Sequence, residues 1–294
     1  PALVVKSNKE NVLIITQENS EKWEVLSKID IAFPLVHGPF GEDGSLQGFF
    51  EVLNIPYVGC DHYSSSLCMD KGWCKSVLQS FGFKTANWIT FNHFEYSPQK
   101  CLNALKDKGI TYPLFVKPSR LGSSVGISKV KDEKELFPSI ENAFNYDSSI
   151  VLEEAVTNCR EIEVSVLDDT LKGRKKTVCS LPGEVIPSSK HGFYSYEAKY
   201  LDKDGAVLNI PANLSEPLLE QVQNQALRAF KVLRCRGMAR VDLFLKENAE
   251  VLINEINTIP GFTKISMYPK LWQVSGLSPE ALIEKLVASA LLDT

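Results

Sequence analysis

Met238-Ala-Arg-Val-Asp-Leu-Phe-Leu245 and Val251-Leu-Ile-Asn-Glu-Ile-Asn257 read as two strands joined by a polar turn over residues 246–250. Strand side chains alternate between faces. Val241, Leu243 and Leu245 therefore share an apolar side, Arg240 and Asp242 share the other, and Glu255 and Asn257 fall together on the second strand. An even turn that sets Lys246 opposite Val251 brings Asp242 opposite Glu255 and Arg240 opposite Asn257. Directly opposed Cβ atoms lie about 4.5–5.5 Å apart, and two carboxylates that close repel unless a cation sits between them. Asp, Glu and Asn offer the hard oxygen ligands that suit magnesium. A metal pair about 3.5–4 Å apart is a common clamp on transferring phosphates. The competing reading, a surface hairpin with paired charges, sits poorly with such apolar neighbours.

Outward from this hairpin, Lys117-Pro-Ser-Arg-Leu-Gly-Ser-Ser-Val-Gly126 sends a lysine off a strand into a loop of small residues. Glycines let the main chain approach a ligand closely, and runs of backbone amides attract anions. No Gly-x4-Gly-Lys-Ser/Thr or Gly-x-Gly-x2-Gly pattern occurs, so this is a candidate phosphate cradle of neither standard type. Val151-Leu-Glu-Glu154, with Glu161 further on, places carboxylates at an apolar strand end, either for ribose hydroxyls or as solvated charge. Met69-Asp-Lys71 opens a helix and is similarly open to two readings. His37-Gly-Pro-Phe-Gly-Glu-Asp-Gly44 leaves an expected buried strand and precedes a helix at Ser45, where ligands of open α/β sheets collect. A tight turn with a capping His37 is the plain alternative. Phe193-Tyr-Ser-Tyr-Glu-Ala-Lys-Tyr200 concentrates tyrosines in a loop-like setting. Such a segment either closes over a site to exclude water or packs as an ordinary connection.

Short β-branched runs at residues 11–16, 30–35, 112–116, 162–167 and 251–256 alternate with helical patterns at 45–52, 71–81, 133–144, 216–233 and 279–292. The class is mixed α and β. A chain of 294 residues exceeds one core, so breaks are expected near residues 66 and 148, giving units 1–66, 67–148 and 149–294. An apolar fraction of 44% and a charged fraction of 23% fit a folded cytoplasmic enzyme,. Net charge −4 and a pI of 5.7 provide no basic footprint for nucleic acid or an anionic membrane,. No apolar run approaches the ~20 residues of a membrane span, and the N-terminus carries no secretory signal,. The seven cysteines are scattered without a Cys-x-x-Cys pair, which indicates reduced thiols rather than a disulfide framework or zinc site.

Taken together, HGPFGEDGSLQG (residues 37–48), FVKPSRLGSSVG (115–126), FYSYEAKY (193–200), GMARVDLFL (237–245) and INEINTIPGFTKISMYP (253–269) resemble the D-alanine–D-alanine ligase family in order and spacing, from about residue 30 onward. The resemblance implies an α+β chain with an ATP-grasp fold and a partial N-terminal α/β domain preceding it. It implies joining of two D-alanine molecules through an acyl phosphate for peptidoglycan precursors, with ATP and two Mg2+ (or Mn2+) ions, in a cytoplasmic homodimer. By position, Lys71 and Lys117 would contact the ATP phosphates, Glu154 and Glu161 the adenosine, and Lys199 the transferred phosphate. Asp242, Glu255 and Asn257 would hold the metals. Arg240 and the backbone at Gly261 would stabilise the tetrahedral oxyanion, and Ser266 with Met267 would receive the second substrate's carboxylate. Ser123 and Tyr200 match a hydrogen-bonded pair that orients the active-site loop, and His37 matches a first-substrate contact.

The sequence Tyr-Glu-Ala-Lys-Tyr200 is similar to the version of the closing loop that selects D-alanine rather than D-lactate. Family members open on Gly-Gly-x-Ser-x-Glu-His, whose glutamate touches the first D-alanine and completes the Ser-Tyr triad. Residues 1–29 do not resemble that stretch, so the resemblance implies a fuller N-terminal domain with a segment upstream of Pro1. The competing functions are a D-lactate or D-serine ligase, and a truncated nucleotide-binding remnant without turnover.

Overall fold

Every described strand finds its partners in one of three sheets, and every pairing within them is antiparallel. The computed structural model describes residues 2–7, 10–16, 23–122, 124–171, 174–188 and 205–292. Strands β1 (Ala2–Ser7), β2 (Glu10–Thr16) and β3 (Trp23–Lys28) form a meander. The stretch at 30–35, expected as a buried strand, makes only an isolated parallel bridge between Ala32 and Tyr57. Pro34 has no N–H to give a ladder, and Leu35 and Val36 are 48% and 53% exposed. Helices α1 (Ser45–Leu53), α2 (His62–Met69) and α3 (Lys71–Ser80) follow. Asp61 and Asp70 cap the second and third through the amides of Ser64 and Trp73, which satisfies N–H groups a helix start leaves open. The Met69-Asp-Lys71 signal is thus a cap that fixes where Lys71 leaves the backbone.

The smaller functional sheet runs β4 (Trp88–Asn92), β7 (Ser149–Glu154), β5 (Leu114–Pro118), β6 (Ser128–Val130). Helices α4 (Pro98–Asp107) and α5 (Glu133–Phe144) bury Leu105, Leu136 and Ile140 against Leu114, Val116, Ile150 and Leu152. Residue 66 lies inside α2, and β7 belongs to this sheet, so the chain crosses to the next sheet over residues 155–158.

The larger sheet runs β11 (Ala206–Asn209), β10 (Gly183–Pro187), β8 (Cys159–Leu171), β12 (Met238–Lys246), β13 (Val251–Asn257), with β9 (Arg174–Cys179) also beside β8. Ile162, Val164 and Val166 alternate onto one face of β8, as Val241, Leu243 and Leu245 do on β12, against Val222, Ala226 and Phe230 of α6 (Glu216–Val232). Burial of each larger side chain stabilises by roughly 1.5–3 kcal/mol. On the opposite face, Tyr268 and Trp272 of α7 (Met267–Val274) and Leu282 and Leu286 of α8 (Pro279–Leu291) cover Leu167 and Met238. This second cover reaches only part of the sheet. Beyond it, β8, β12 and β13 carry their polar residues toward the smaller sheet.

Candidate active site

The hairpin of β12 and β13 places Asp242 opposite Glu255 and Arg240 opposite Asn257, as the sequence pattern requires, but by a different route. Lys246 is not opposite Val251. Leu245 is, and the Lys246 N–H donates to the Glu250 carbonyl at 2.9 Å. The loop closes with the Ala249 N–H on the Lys246 carbonyl and Ala249 at φ 63, a three-residue connection ending in a left-handed residue. Continued in that register, the ladder would set Asp242 against Asn254 and turn Glu255 to the apolar face with Ile253. The register instead shifts between Asp242 and Leu243. Asn254 is the extra residue of this β-bulge, and it restores Glu255 and Asn257 to the polar face.

A third acid, which the motif reading passed over, extends the row. Glu163 on β8 pairs with Asp242 from the other side, and a single signal could have found it: Glu161 and Glu163 share a strand face. Arg240 grips both Asp242 oxygens at 2.7 Å and reaches the Glu163 carboxylate at 2.9 Å. Asn257 donates its amide to Asp242 at 3.0 Å. Burial works against the guanidinium's charge, yet Asp242, Glu163 and Glu255 outweigh it and hold its pKa well above the ordinary value,.

The facing wall is cationic. Lys117 on β5 contacts Glu153 of β7 at 2.7 Å, and Lys75 of α3 reaches the other oxygen of the same carboxylate at 2.9 Å. Glu153 is 2% exposed, and burial alone would raise its pKa, but the two lysines lower it to about 2. Two lysines on one carboxylate leave an excess positive charge. Lys71 donates to the Leu121 carbonyl at 2.5 Å, and burial, opposed by Glu255, lowers its pKa. The loop after β5 is anchored by the Arg120–Asp147 ion pair at 2.5 Å. Its Gly126 has φ +70, and a Cβ there would meet Pro118 and Tyr146 at 2.8 Å, so no other residue fits without displacement. Glu42, of the motif that starts at His37, rests beside Gly122 of this loop, and burial raises its pKa.

Between these walls lies a cavity of about 370 Å³. Lys71, Lys117, Glu154, Glu161, Asp242 and Glu255 all line it, so six of the proposed site residues converge. Phe115, Lys129 and Phe244 line it too and were not singled out in the sequence. Glu154 is oriented by Asn87 at 3.0 Å. A small adjoining recess is bordered by Lys71, Glu255 and Asn257.

The remaining residues sit apart. His37 contacts the Ile259 carbonyl at 3.0 Å through Nδ1, which ties its loop to the segment leading to Gly261. Thr263 donates to Ser266 Oγ through its N–H at 3.0 Å, and a Cβ on Gly261 would strike that oxygen at 2.7 Å. The side chain of Met267 is 6% exposed and packs with Val185 and Leu271, so the group it has left to offer a substrate is its backbone N–H in the first turn of α7. Ser123, Lys199 and Tyr200 lie outside the described residues, as does the whole 193–200 segment.

Among the described residues no three His, Cys, Asp or Glu side chains are arranged to hold a metal ion. The donors present nevertheless fit magnesium, which is usually bound through one or two carboxylates and completed by substrate phosphates and water. Asp242 and Glu255 supply the carboxylates and Asn257 an amide oxygen, beside the cavity whose opposite wall is cationic.

Two family descriptions match the chain: D-ala D-ala ligase N-terminus over residues 4–60 and D-ala D-ala ligase C-terminus over residues 77–288. The first begins well before residue 30, so the family likeness is longer than the quoted motifs indicate. A D-alanine–D-alanine ligase of Oceanobacillus iheyensis is 44% identical over 98% of this chain and 78% of its own length. The structure of the VanG D-Ala:D-Ser ligase from Enterococcus faecalis superposes with a TM-score of 0.80 at 35% identity, covering 96% of this chain and 80% of that one. That of the Bacillus anthracis D-alanine–D-alanine ligase complexed with ATP gives 0.74 at 30% identity, covering 90% and 79%. On its sheets, its cavity and these likenesses, the chain belongs to the D-alanine–D-alanine ligase family and has the ATP-grasp fold.

Proposed function

We propose that the protein joins two D-alanine molecules into D-alanyl-D-alanine at the expense of ATP, forming ADP and phosphate and supplying peptidoglycan precursors. The observation that carries this reading is the placing of Asp242 opposite Glu255 across one cavity from Lys71 and Lys117. A polyphosphate complexed with divalent cations matches both walls at once, since the lysines neutralise phosphate oxygens and the carboxylates neutralise the metal. Bound at Asp242, Glu255 and Asn257, two Mg2+ or Mn2+ ions would offset the charge that develops on the transferring phosphate.

The residues divide the chemistry. A carboxylate is a poor acyl donor until phosphorylated, so the chain must first hold the first D-alanine in line with the terminal phosphate. Lys71 and Lys117 take the phosphates, Lys199 the transferred one, and Glu154 and Glu161 the adenosine, with Phe115 and Phe244 as apolar lining for the base. Arg240 and the Gly261 backbone receive the oxyanion when the second amine attacks. His37 orients the first substrate, the Ser266 hydroxyl and Met267 amide the second carboxylate, and Ser123 with Tyr200 the covering loop. The working form in this reading is a homodimer in the cytoplasm. Among the described residues no helix is long and apolar enough to cross a membrane.

The test is phosphate release from ATP with D-alanine and Mg2+ each omitted in turn, with the product weighed by mass spectrometry. Release that ignores D-alanine rejects the reading. The likeness to a D-Ala:D-Ser ligase makes D-serine the competing second substrate; offered both amino acids, the enzyme should return the D-alanyl-D-alanine mass in excess.

A further inference from the structure

Lys71 and Lys75 stand one turn apart on α3, on the same side of the helix,. Lys71 lines the cavity, whereas Lys75 is buried outside its lining. A lysine so buried is costly unless its charge and donors are met. Two groups meet them here, and they belong to different sheets. One is the Glu153 carboxylate on β7, at 2.9 Å, whose other oxygen holds Lys117. The other is the backbone carbonyl of Asn254, at 3.3 Å, the bulged residue of β13. A bulged residue drops out of the ladder, so its carbonyl is open to an acceptor role from outside, and the residue after it is Glu255.

We propose that Lys75 is a positioning residue for the nucleotide and metal site, its ammonium clasped between the Glu153 carboxylate and the Asn254 carbonyl so that Lys117 and Glu255 keep a fixed spacing across the cavity. The inference rests on the reading of the cavity as a site for ATP and divalent cations. It goes beyond that reading by assigning the geometry of both walls to a residue that touches no ligand. Lys75 couples the β7 side to the hairpin through one atom, Nζ. Losing it frees Lys117 to pair with Glu153 alone and releases the strand that carries Glu255. A lysine that served stability only would have no such effect on ligand affinity.

The experiment uses the full chain. Mg2+ is titrated by calorimetry into protein saturated with adenylyl imidodiphosphate, and KM values are measured separately for ATP and D-alanine. Lys75→Met should weaken Mg2+ binding and raise KM for ATP at least fivefold each, with KM for D-alanine within twofold of wild type. Glu153→Gln loosens Lys117 but leaves Lys75 on Asn254, so KM for ATP should rise while Mg2+ affinity stays within twofold. A folded Lys75→Met protein with a lowered Tm but wild-type Mg2+ and ATP values overturns the proposal. Should Lys75→Met not fold, Lys75→Arg decides. Its longer, planar head cannot reach both partners without moving one, so Mg2+ binding should fall at least threefold, and wild-type binding would overturn the proposal. A wild-type chain that makes no dipeptide would reject the functional reading instead, because the calorimetric comparison needs no turnover.

Discussion

Arg240 is surrounded by Asp242, Glu163 and Glu255, so its charge is fixed and its head is aimed before any substrate arrives. In its proposed role at the oxyanion, a preorganised donor of this kind is worth about 2.7–4 kcal/mol. Replacement by lysine keeps the charge but loses the planar fork that holds both Asp242 oxygens. Arg240→Lys should therefore lower kcat by about 100- to 1000-fold, read in the coupled phosphate assay, while KM for ATP changes little. Glu153 gives a pH-dependent counterpart. Its pKa falls from 4.5 unfolded to about 2 folded, so it stabilises the fold above pH 4.5 and that contribution is lost as pH drops from there toward 2. The shift corresponds to roughly 3 kcal/mol. Urea midpoints measured between pH 7 and pH 3 should fall more steeply for wild type than for Glu153→Gln. Parallel slopes would show that the ion triad contributes nothing to acid stability.

At the scale of elements, the hairpin of β12 and β13 shows how a correct pairing can rest on a wrong turn. Alternation put Arg240, Asp242, Glu255 and Asn257 on one face, because a one-residue slip would turn a strand's apolar set to the polar side, and the assumed even turn then chose Glu255 as the partner of Asp242. Lys246 was expected opposite Val251, whereas the left-handed Ala249 shortens the loop and the bulge at Asn254 makes up the difference. Nothing in Lys-Glu-Asn-Ala-Glu250 marks an alanine for φ 63, a conformation that favours glycine or asparagine. Ala249 is exposed, so Ala249→Gly should relieve backbone strain without loss of packing and stabilise by about 0.5–1 kcal/mol. The check is an upward shift of the urea midpoint at unchanged slope. The expected strand at 30–35 failed for the opposite reason. Its composition is apolar, but a strand exists only when neighbours supply a ladder, and here only Ala32 finds one, at Tyr57.

For the molecule as a whole, the cavity is built from two sheets linked by the 155–158 crossing, by α3, by the Ile253 N–H donating to the Lys84 carbonyl at 2.9 Å, and by the docked N-terminal segment. A ligand that fills it binds the folded chain and not the unfolded one. Saturation to 100 times its dissociation constant should stabilise the protein by about 2.7 kcal/mol, an increase in Tm of several degrees for a chain of this size. Adenylyl imidodiphosphate with Mg2+ should produce that shift in a thermal melt, and Mg2+ alone should not. A melt indifferent to the nucleotide would argue that the two walls do not form one site.

Sequence alone determined the class, the helices α1, α3, α5, α6 and α8, and the shared polar face of Arg240, Asp242, Glu255 and Asn257. These depend on local periodicity and on the parity of strands, both of which are written into neighbouring residues. The proposed roles of Lys71, Lys117, Glu154 and Glu161 come from family likeness, since periodicity could not assign them. Only the tertiary structure disclosed Glu163 as the third acid of the row, Glu153 as the anchor of two lysines, and Lys75 as the link from that anchor to the bulge. Each depends on which strands lie side by side and which face of α3 turns inward, a matter of long-range packing to which a buried charge answers only through its partners.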